Sequence, residues 1–381
     1  MISSMHKILI TGGAGFIGSH LANSFTEKGH HVKVIDILSE QVHGSFPFES
    51  NLFKSLNPKV EFIHASVTSV QELTRALKGI DVVVHLAAET GTGQSMYEMK
   101  RYSEVNVLGT ANLLESIARN GLSVRKLIVA STRAVYGEGK YSCLTHGFSY
   151  PENRDVSRME NGFWEHECIS CGNVLQKVST DEDSKLYPQS IYGITKLSQE
   201  QMVLAFGRAH GLSAYALRLQ NVYGPGQSLS NPYTGILSVF STRVLTNSTI
   251  HVYEDGLESR DFIYVSDVID AFQYILEDPK NNVDVFNVGS GKSTTVLELA
   301  QKLNDLLGKK SKLEITGNYR IGDIRHNLAD IKKIKNRYSF SPKILFDQGI
   351  TKFVSWVKSQ PIQTDKYDNS ISELRNRGLF K

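Results

Sequence analysis

The strongest constraint on this chain lies in its first eighteen residues. An apolar run, Lys7 to Ile10, ends in Thr11-Gly12-Gly13-Ala14-Gly15-Phe16-Ile17-Gly18. A helical pattern follows through Leu21 and Phe25 to a stop signal at Gly29. Gly12, Gly15 and Gly18 thus stand at GxxGxxG spacing between a strand and a helix. Glycines let the backbone turn tightly and come close to a pyrophosphate, and the helix N-terminus offers it free N–H groups and the positive end of a dipole. His31 to Ile35 reads as the next strand and ends at Asp36, 18 residues past Gly18. A carboxylate there accepts hydrogen bonds from an adenosine ribose and repels a 2′-phosphate, so the segment is predicted to bind NAD in preference to NADP.

The rhythm continues beyond this unit. Val60 to Ala65 reads as a strand, Ser69 and Glu72 open a helix with a capping-box pattern, and Asp81 to Ala88 reads as a buried strand. Residues 103–119 read as helix, Lys126 to Ala130 as strand, 188–210 as helix and Ala214 to Leu219 as strand. Strands alternating with helices predict an α/β fold: a Rossmann doubly wound parallel sheet, joined to a smaller mixed α/β substrate-binding domain. We expect residues 1–220 to form the dinucleotide-binding domain, interrupted by a Cys/His insertion at 138–180, and part of 255–285 to return to it. Residues 221–360 are expected to be mainly the second domain, and 361–381 a polar tail. The 381 residues carry 42 Lys plus Arg against 39 Asp plus Glu, a balance that gives no sign of nucleic-acid binding. No apolar run approaches the length of a membrane span and the N-terminus has no secretory pattern, so a soluble cytoplasmic protein is expected.

Two segments carry chemistry. Tyr192 and Lys196 are four apart on the predicted 188–210 helix and share a face. A free Tyr, with a pKa of about 10, is a poor base at neutral pH, and a nearby ammonium favours its phenolate. Ser131 and Thr132 follow a buried strand, where parallel sheets place their sites, and can set a hydroxyl beside the Tyr.

With TGGAGFIGSH, HLAAET, STRAVYG, YGITK, NVYGPGQ and RDFIYVSD in this order, the chain resembles the extended short-chain dehydrogenase/reductase family, in its nucleotide-sugar epimerase/dehydratase branch, over roughly residues 7–330. The resemblance implies Thr132, Tyr192 and Lys196 as the catalytic set. It implies a cofactor site of Gly12, Gly15, Phe16, Ile17, Gly18, Asp36, Ser66, Val67, Leu86, Ala87, Ala88, Asn106 and Gln220. Asn221, Arg260 and Arg320 are implied on the substrate diphosphate and Asp323 near the nucleotide ribose; Glu89, Thr90, Ser95 and Tyr233 are weaker candidates for sugar contacts, with solvated loop residues as the alternative. Guanidinium forks suit phosphates. Two positions depart from the family pattern. Ser66 replaces the usual adenine-contacting Asp, and Arg133-Ala134 replaces the Asp-Glu pair that 4,6-dehydratases carry after the catalytic Thr. Loss of water needs that acid and base, which leaves epimerisation or simple oxidation. A homodimer built on helices near 98–119 and 188–210 is a further implication.

All three cysteines fall in the insertion. Cys143-Leu-Thr-His146 and Cys168-Ile-Ser-Cys171 are each followed by a glycine, with 21 residues between them. This is a Cys₃His spacing suited to a closed, structural zinc site, and about forty residues with little apolar core need such a staple. Reduced free thiols or a redox CxxC are the alternatives, and His166 is a weaker candidate for fourth ligand. The acidic excess around the knuckles speaks against nucleic acid. The insertion, with GTGQSMY at 91–97 and NPYTG at 231–235, resembles a bacterial subgroup of dTDP-sugar epimerases. That implies a 4-epimerase with a transient 4-keto intermediate, dTDP-L-rhamnose and dTDP-6-deoxy-L-talose as the expected pair, and a place in polysaccharide biosynthesis. The alternatives are a nucleotide-sugar oxidoreductase, a UDP-, GDP- or CDP-sugar epimerase of the same fold, and a cofactor-sensing protein, which the intact Thr, Tyr and Lys disfavour.

Overall fold

A computed structural model describes residues 5–119, 123–233 and 235–381; the first four residues and Thr234 of the NPYTG segment lie outside the described residues. Seven parallel strands form the main sheet: β1 (Lys7–Thr11), β2 (His31–Asp36), β3 (Glu61–His64), β4 (Val82–His85), β5 (Lys126–Thr132), β6 (Ser213–Leu219) and β7 (Val283–Val288). Their order, β7-β6-β5-β4-β1-β2-β3, reverses direction at β1, so a crevice opens between the carboxyl ends of β1 and β4. Alternate side chains feed two cores. Ile8, Ile10, Val82, Val84 and Ile128 enter one; Leu9, Val83, Leu127 and Val129 enter the other. A sheet buried on both faces reads as continuous apolar runs, which is why these strands are legible in sequence.

Helices cover both faces: α1 (Phe16–Glu27), α2 (Val70–Ala76), α3 (Gly109–Arg119), α4 (Ile191–His210) and α5 (Val265–Glu277). The predicted 188–210 helix begins later, because Ser190 caps it by accepting the Gly193 N–H at 3.1 Å. The Ser69 side chain caps α2 as expected, accepting from Glu72 N. The predicted 103–119 helix is preceded by a helical turn at Met99–Tyr102 and widened to a π-helix over Ser103–Leu108. π segments concentrate at functional sites, and this one carries Asn106.

Asn221–Tyr223 and Ser259–Tyr264 pair in a small sheet, the chain re-enters the main sheet at β7, and Ser293–Thr295 then completes the small sheet. The insertion builds its own three-stranded sheet from Tyr141–Cys143, Gly147–Ser149 and Gln176–Lys177, plus a short helix at Val156–Glu160. The tail forms a helix, Tyr367–Asn376, whose Tyr367, Ile371 and Leu374 make a core with Phe380.

Lys126, at the start of β5, is buried, and its ammonium donates to the carbonyls of Ile275, Leu276 and Asp278, each at 2.8 Å. It thereby caps the C-terminus of α5, where a cation is favoured. Burial still pulls its pKa down to about 8. Lys126→Met leaves these carbonyls without their donor, and we expect a loss of about 1–3 kcal/mol, read by urea denaturation.

Candidate active site

The floor of the site is the glycine turn. Gly12 has φ +68°, and a Cβ on it would lie 2.7 Å from the Ala87 amide nitrogen. A Cβ on Gly18 would lie 2.3 Å from the Gly12 carbonyl oxygen. The turn therefore presses on the loop after β4 and on the first turn of α1 with no room for a side chain. Gly15 caps α1 without a side-chain hydrogen bond, so the helix presents free N–H groups to the crevice. Asp36 closes the turn, accepting from Ala14 N at 3.0 Å and Leu38 N at 2.8 Å. Ser66 makes a local turn with Thr68, its Oγ 2.8 Å from Thr68 Oγ1.

A cavity of about 590 Å³ runs from this turn, past the ends of β4 and β5, into the loops beyond β6. The predicted residues Gly12, Gly15, Phe16, Ile17, Gly18, Asp36, Ser66, Val67, Leu86, Ala87, Ala88 and Gln220 line one end. Thr132, Tyr192 and Lys196 stand at its middle, and Thr90, Asn221, Tyr233, Arg260, Arg320 and Asp323 line the rest. Five buried polar atoms of lining residues have no hydrogen-bond partner among the described residues: Gln220 Oε1, Asn221 Oδ1, Gln227 Oε1, Glu258 Oε2 and Arg320 Nε. Such atoms cost free energy unless a ligand or water satisfies them.

Tyr192 projects from the first turn of α4 and hydrogen-bonds Thr132. Burial raises its pKa; the Thr132 hydrogen bond and the Arg133 charge oppose that rise. Lys196, one turn on, is buried, and its pKa is pushed down to about 7 by that burial, against the opposing charge of Glu200. Its ammonium donates to Gln199 Oε1 at 2.5 Å. Gln199 is held by His85, which also bonds the Thr11 and Thr110 hydroxyls, and burial drives the His85 pKa down to about 3, so the imidazole is neutral. Beneath them Glu200 pairs with Arg218 at 2.6 Å and accepts from Ser131 at 2.5 Å. Ser131 is thus committed to the scaffold, and Thr132 is the hydroxyl left to the cavity.

Arg133 is a site residue that the glycine, YxxxK and Thr signals do not identify. It lines the cavity directly after Thr132. The sequence pattern gives the acidifying charge to Lys196; in the structure Lys196 is turned to Gln199, and the charge that lowers the Tyr192 pKa is that of Arg133. Two expected contacts lie elsewhere. Ser95 is buried and donates to the Thr92 carbonyl at 2.6 Å, because the GTGQSMY segment coils into a helical turn. Asn106 is buried behind the cavity wall, accepting from Glu89 N at 2.8 Å and donating to Thr195 at 3.0 Å, so it fixes the loop after β4. Glu89 lines the cavity, but its carboxylate pairs with Arg101 at 2.7 Å.

The tail closes the far end. Glu373 accepts from Tyr97 at 2.9 Å and from Tyr233 at 2.6 Å, and Tyr367, which lines the cavity, bonds Tyr253. Arg320 Nη2 reaches the Tyr253 hydroxyl at 3.4 Å. Sequence periodicity shows a polar tail and gives no hint of this roof.

The sequence profile of the NAD dependent epimerase/dehydratase family matches residues 8–154 and 169–289. The chain belongs to this family. The break in the match falls inside the insertion. The chain is 34% identical over 358 residues to the dTDP-L-rhamnose 4-epimerase of Burkholderia thailandensis, covering 93% of this chain and 95% of that one. The UDP-N-acetylglucosamine 4-epimerase of Methanobrevibacter ruminantium, solved with UDP-N-acetylmuramic acid, is 28% identical with a TM-score of 0.74 over 94% of this chain and 100% of that one. The UDP-glucuronic acid 4-epimerase of Bacillus cereus, solved with UDP-glucuronic acid and NAD, is 26% identical with a TM-score of 0.75 over 92% and 99%. No helix among the described residues is long and apolar enough to cross a membrane.

The four ligand candidates of the insertion converge. The donor atoms of Cys143, His146, Cys168 and Cys171 lie within 4.8 Å of one another. Cys143 Sγ is 3.6 Å from Cys171 Sγ, and both Cys143 and Cys168 Sγ are 3.5 Å from His146 Nδ1. Bonds of about 2.3 Å to sulfur and about 2.05 Å to nitrogen give tetrahedral edges of about 3.5–3.8 Å. A disulfide needs sulfurs about 2.05 Å apart. His166 stands outside the cluster and faces Glu138 at 3.2 Å.

Removing the Arg133 charge leaves burial less opposed at Tyr192. Arg133→Met is expected to move the Tyr192 titration to higher pH. The measurement is the phenolate absorbance difference between proteins with and without Tyr192→Phe, in each Arg133 background.

Proposed function

We propose that this protein is an NAD-dependent 4-epimerase of a nucleotide-diphosphate sugar, with dTDP-L-rhamnose and dTDP-6-deoxy-L-talose as its substrate pair. The observation that carries the reading is the single cavity that joins the glycine turn, the Thr132–Tyr192 pair and the Arg260–Arg320–Asp323 wall. Residues 1–220 then serve mainly the cofactor and 221–360 mainly the substrate. Bound NAD supplies the acceptor and donor of the hydride at the sugar 4-carbon. Tyr192 takes the proton of the 4-hydroxyl, and Thr132 holds the same oxygen. Asn221, Arg260 and Arg320 clamp the diphosphate and Asp323 the ribose while the 4-keto sugar rotates, so that the hydride returns to the opposite face of the 4-carbon and Tyr192 gives its proton back to the 4-oxygen. Arg133 in place of a dehydratase carboxylate supports epimerisation over loss of water. The choice of base and sugar leans on the Burkholderia relative and on the shared knuckle motif.

The test is incubation without added NAD with dTDP-L-rhamnose and UDP-, GDP- and CDP-sugars, followed by NMR. A reversible change at the 4-carbon of one of them is expected. Turnover only on addition of NAD points to an oxidoreductase instead. Tyr192→Phe should lose at least about a hundredfold in kcat, the lower range for a general acid–base group, and keep its NAD; near-normal turnover would refute the assignment.

We also propose that Cys143, His146, Cys168 and Cys171 hold a structural zinc. The thiolate-rich donor set and its tetrahedral edges fit zinc, and four protein ligands leave no open position for chemistry. Elemental analysis of purified protein should give one zinc per chain. Cys168→Ser should lower zinc content and Tm together; full stability without metal excludes the site. The exposed apolar side chains Met99, Leu108 and Ile194 support a helix-mediated homodimer, to be read by analytical ultracentrifugation.

A further inference from the structure

We propose that the insertion is a brace for the nucleotide clamp, with Arg154 and Glu165 as positioning residues for Arg260 and Asp323. This rests on the reading of Arg260 and Asp323 as groups that hold the nucleotide.

The pivot is the segment 323–326, which has no continuous strand or helix. On its clamp side, Arg260 Nη1 donates to the Arg325 carbonyl and Nη2 to the Ile324 carbonyl, both at 2.9 Å. Arg260 forms no ion pair within 4 Å among the described residues, so its charge stays available to an anion in the cavity. Its aim is only as good as the backbone that carries those carbonyls.

On the other side the same segment is gripped by the insertion. Arg154 reaches the Asp323 carbonyl at 3.0 Å and forks onto Glu254 at 2.7 and 2.8 Å. Glu165, three residues before Cys168, accepts from Arg325 Nε at 2.7 Å and lies 3.2 Å from His326 Nε2. Arg325 also donates its amide to Glu138 and its guanidinium to Glu254 and Asp255. The side chains of Arg154, Arg325, Glu138 and Glu254 are at most 5% exposed. Buried ion pairs add little net stability over an apolar packing of the same shape, and their best-attested use is to fix geometry. Here they fix the irregular segment on which Arg260 rests. An active-site group needs a second layer of contacts to hold it within about half an ångström. The cysteine cluster sets the loop that delivers Glu165, so the insertion and the clamp form one mechanical unit.

The experiment compares wild type with Arg154→Met, Arg154→Lys, Glu165→Gln and Arg260→Met. Each is titrated by calorimetry with dTDP, UDP, GDP and CDP, and its bound NAD and zinc are measured on the same sample. Arg154→Met is expected to weaken binding of the preferred nucleotide diphosphate tenfold or more at wild-type NAD content. Arg154→Lys should recover part of it, and in turnover the loss should fall in KM rather than kcat. A merely structural role would lower Tm and leave the affinity of the folded protein unchanged. Glu165→Gln lies at a half-exposed position and decides the matter if Arg154→Met does not fold. Wild-type affinity in the folded Arg154 and Glu165 variants, with affinity lost in Arg260→Met, overturns the brace alone. Wild-type affinity in Arg260→Met overturns the clamp reading and the brace with it. Absence of zinc in the wild type, with the Arg154→Met loss intact, would remove the metal and leave the brace.

Discussion

The close approach of Gly12 to Ala87 sets the rest of the structure. With the would-be Cβ 2.7 Å from a backbone nitrogen, the turn after β1 lies flat against the end of β4. Everything that lines the cavity is placed from there. The loop after β4 passes over the turn, the end of β5 brings Thr132 and Arg133, and α4 crosses behind with Tyr192 and Lys196. A methyl group at Gly12 or Gly18 would force these layers apart, at the usual overpacking cost of about 1–3 kcal/mol.

Behind the reacting groups the protein places polar side chains where a core would ordinarily be apolar. His85, Gln199, Glu200, Arg218 and Ser131 are all buried, and each has hydrogen-bond partners. A satisfied buried network is rigid, because any rearrangement leaves a donor or acceptor unpaired at a cost of about 1–3 kcal/mol. That rigidity keeps α4 in register with β5, so a tyrosine and a threonine 60 positions apart in sequence share one hydrogen bond. It also turns the Lys196 ammonium to Gln199, while the Arg133 charge acts on Tyr192.

The insertion solves a different problem. Forty residues with a core of only Tyr141, Cys143, Cys168 and Leu175 are too few to fold on apolar burial alone. Four potential ligand atoms converge within it, and the buried arginines and carboxylates tie the unit to the segment 323–326. A family match that lapses between residues 154 and 169 agrees with a module added to a common frame.

Much of this was legible in the chain. Strands buried on both faces appear as apolar runs, the glycine turn has a fixed spacing, and the clustered Cys and His residues come in close pairs, because each is a local solution to a local demand. β1, β2, β4, β5 and β6, the helix carrying Tyr192 and the cysteine cluster therefore stand where periodicity and spacing put them. What the sequence could not decide is non-local. Ser95 and Asn106 face away from the cavity because of how their helical turns pack. Arg133 stands out in the sequence only as a departure from the dehydratase pattern after Thr132; its action on Tyr192 arises because β5 and α4 meet there. The tail reads as polar and forms a roof because Glu373 finds two tyrosine hydroxyls from distant loops. Local geometry is written in spacing and period; which side chains share one buried space is settled only when the layers close, since burial and charge act through distance in space and not along the chain.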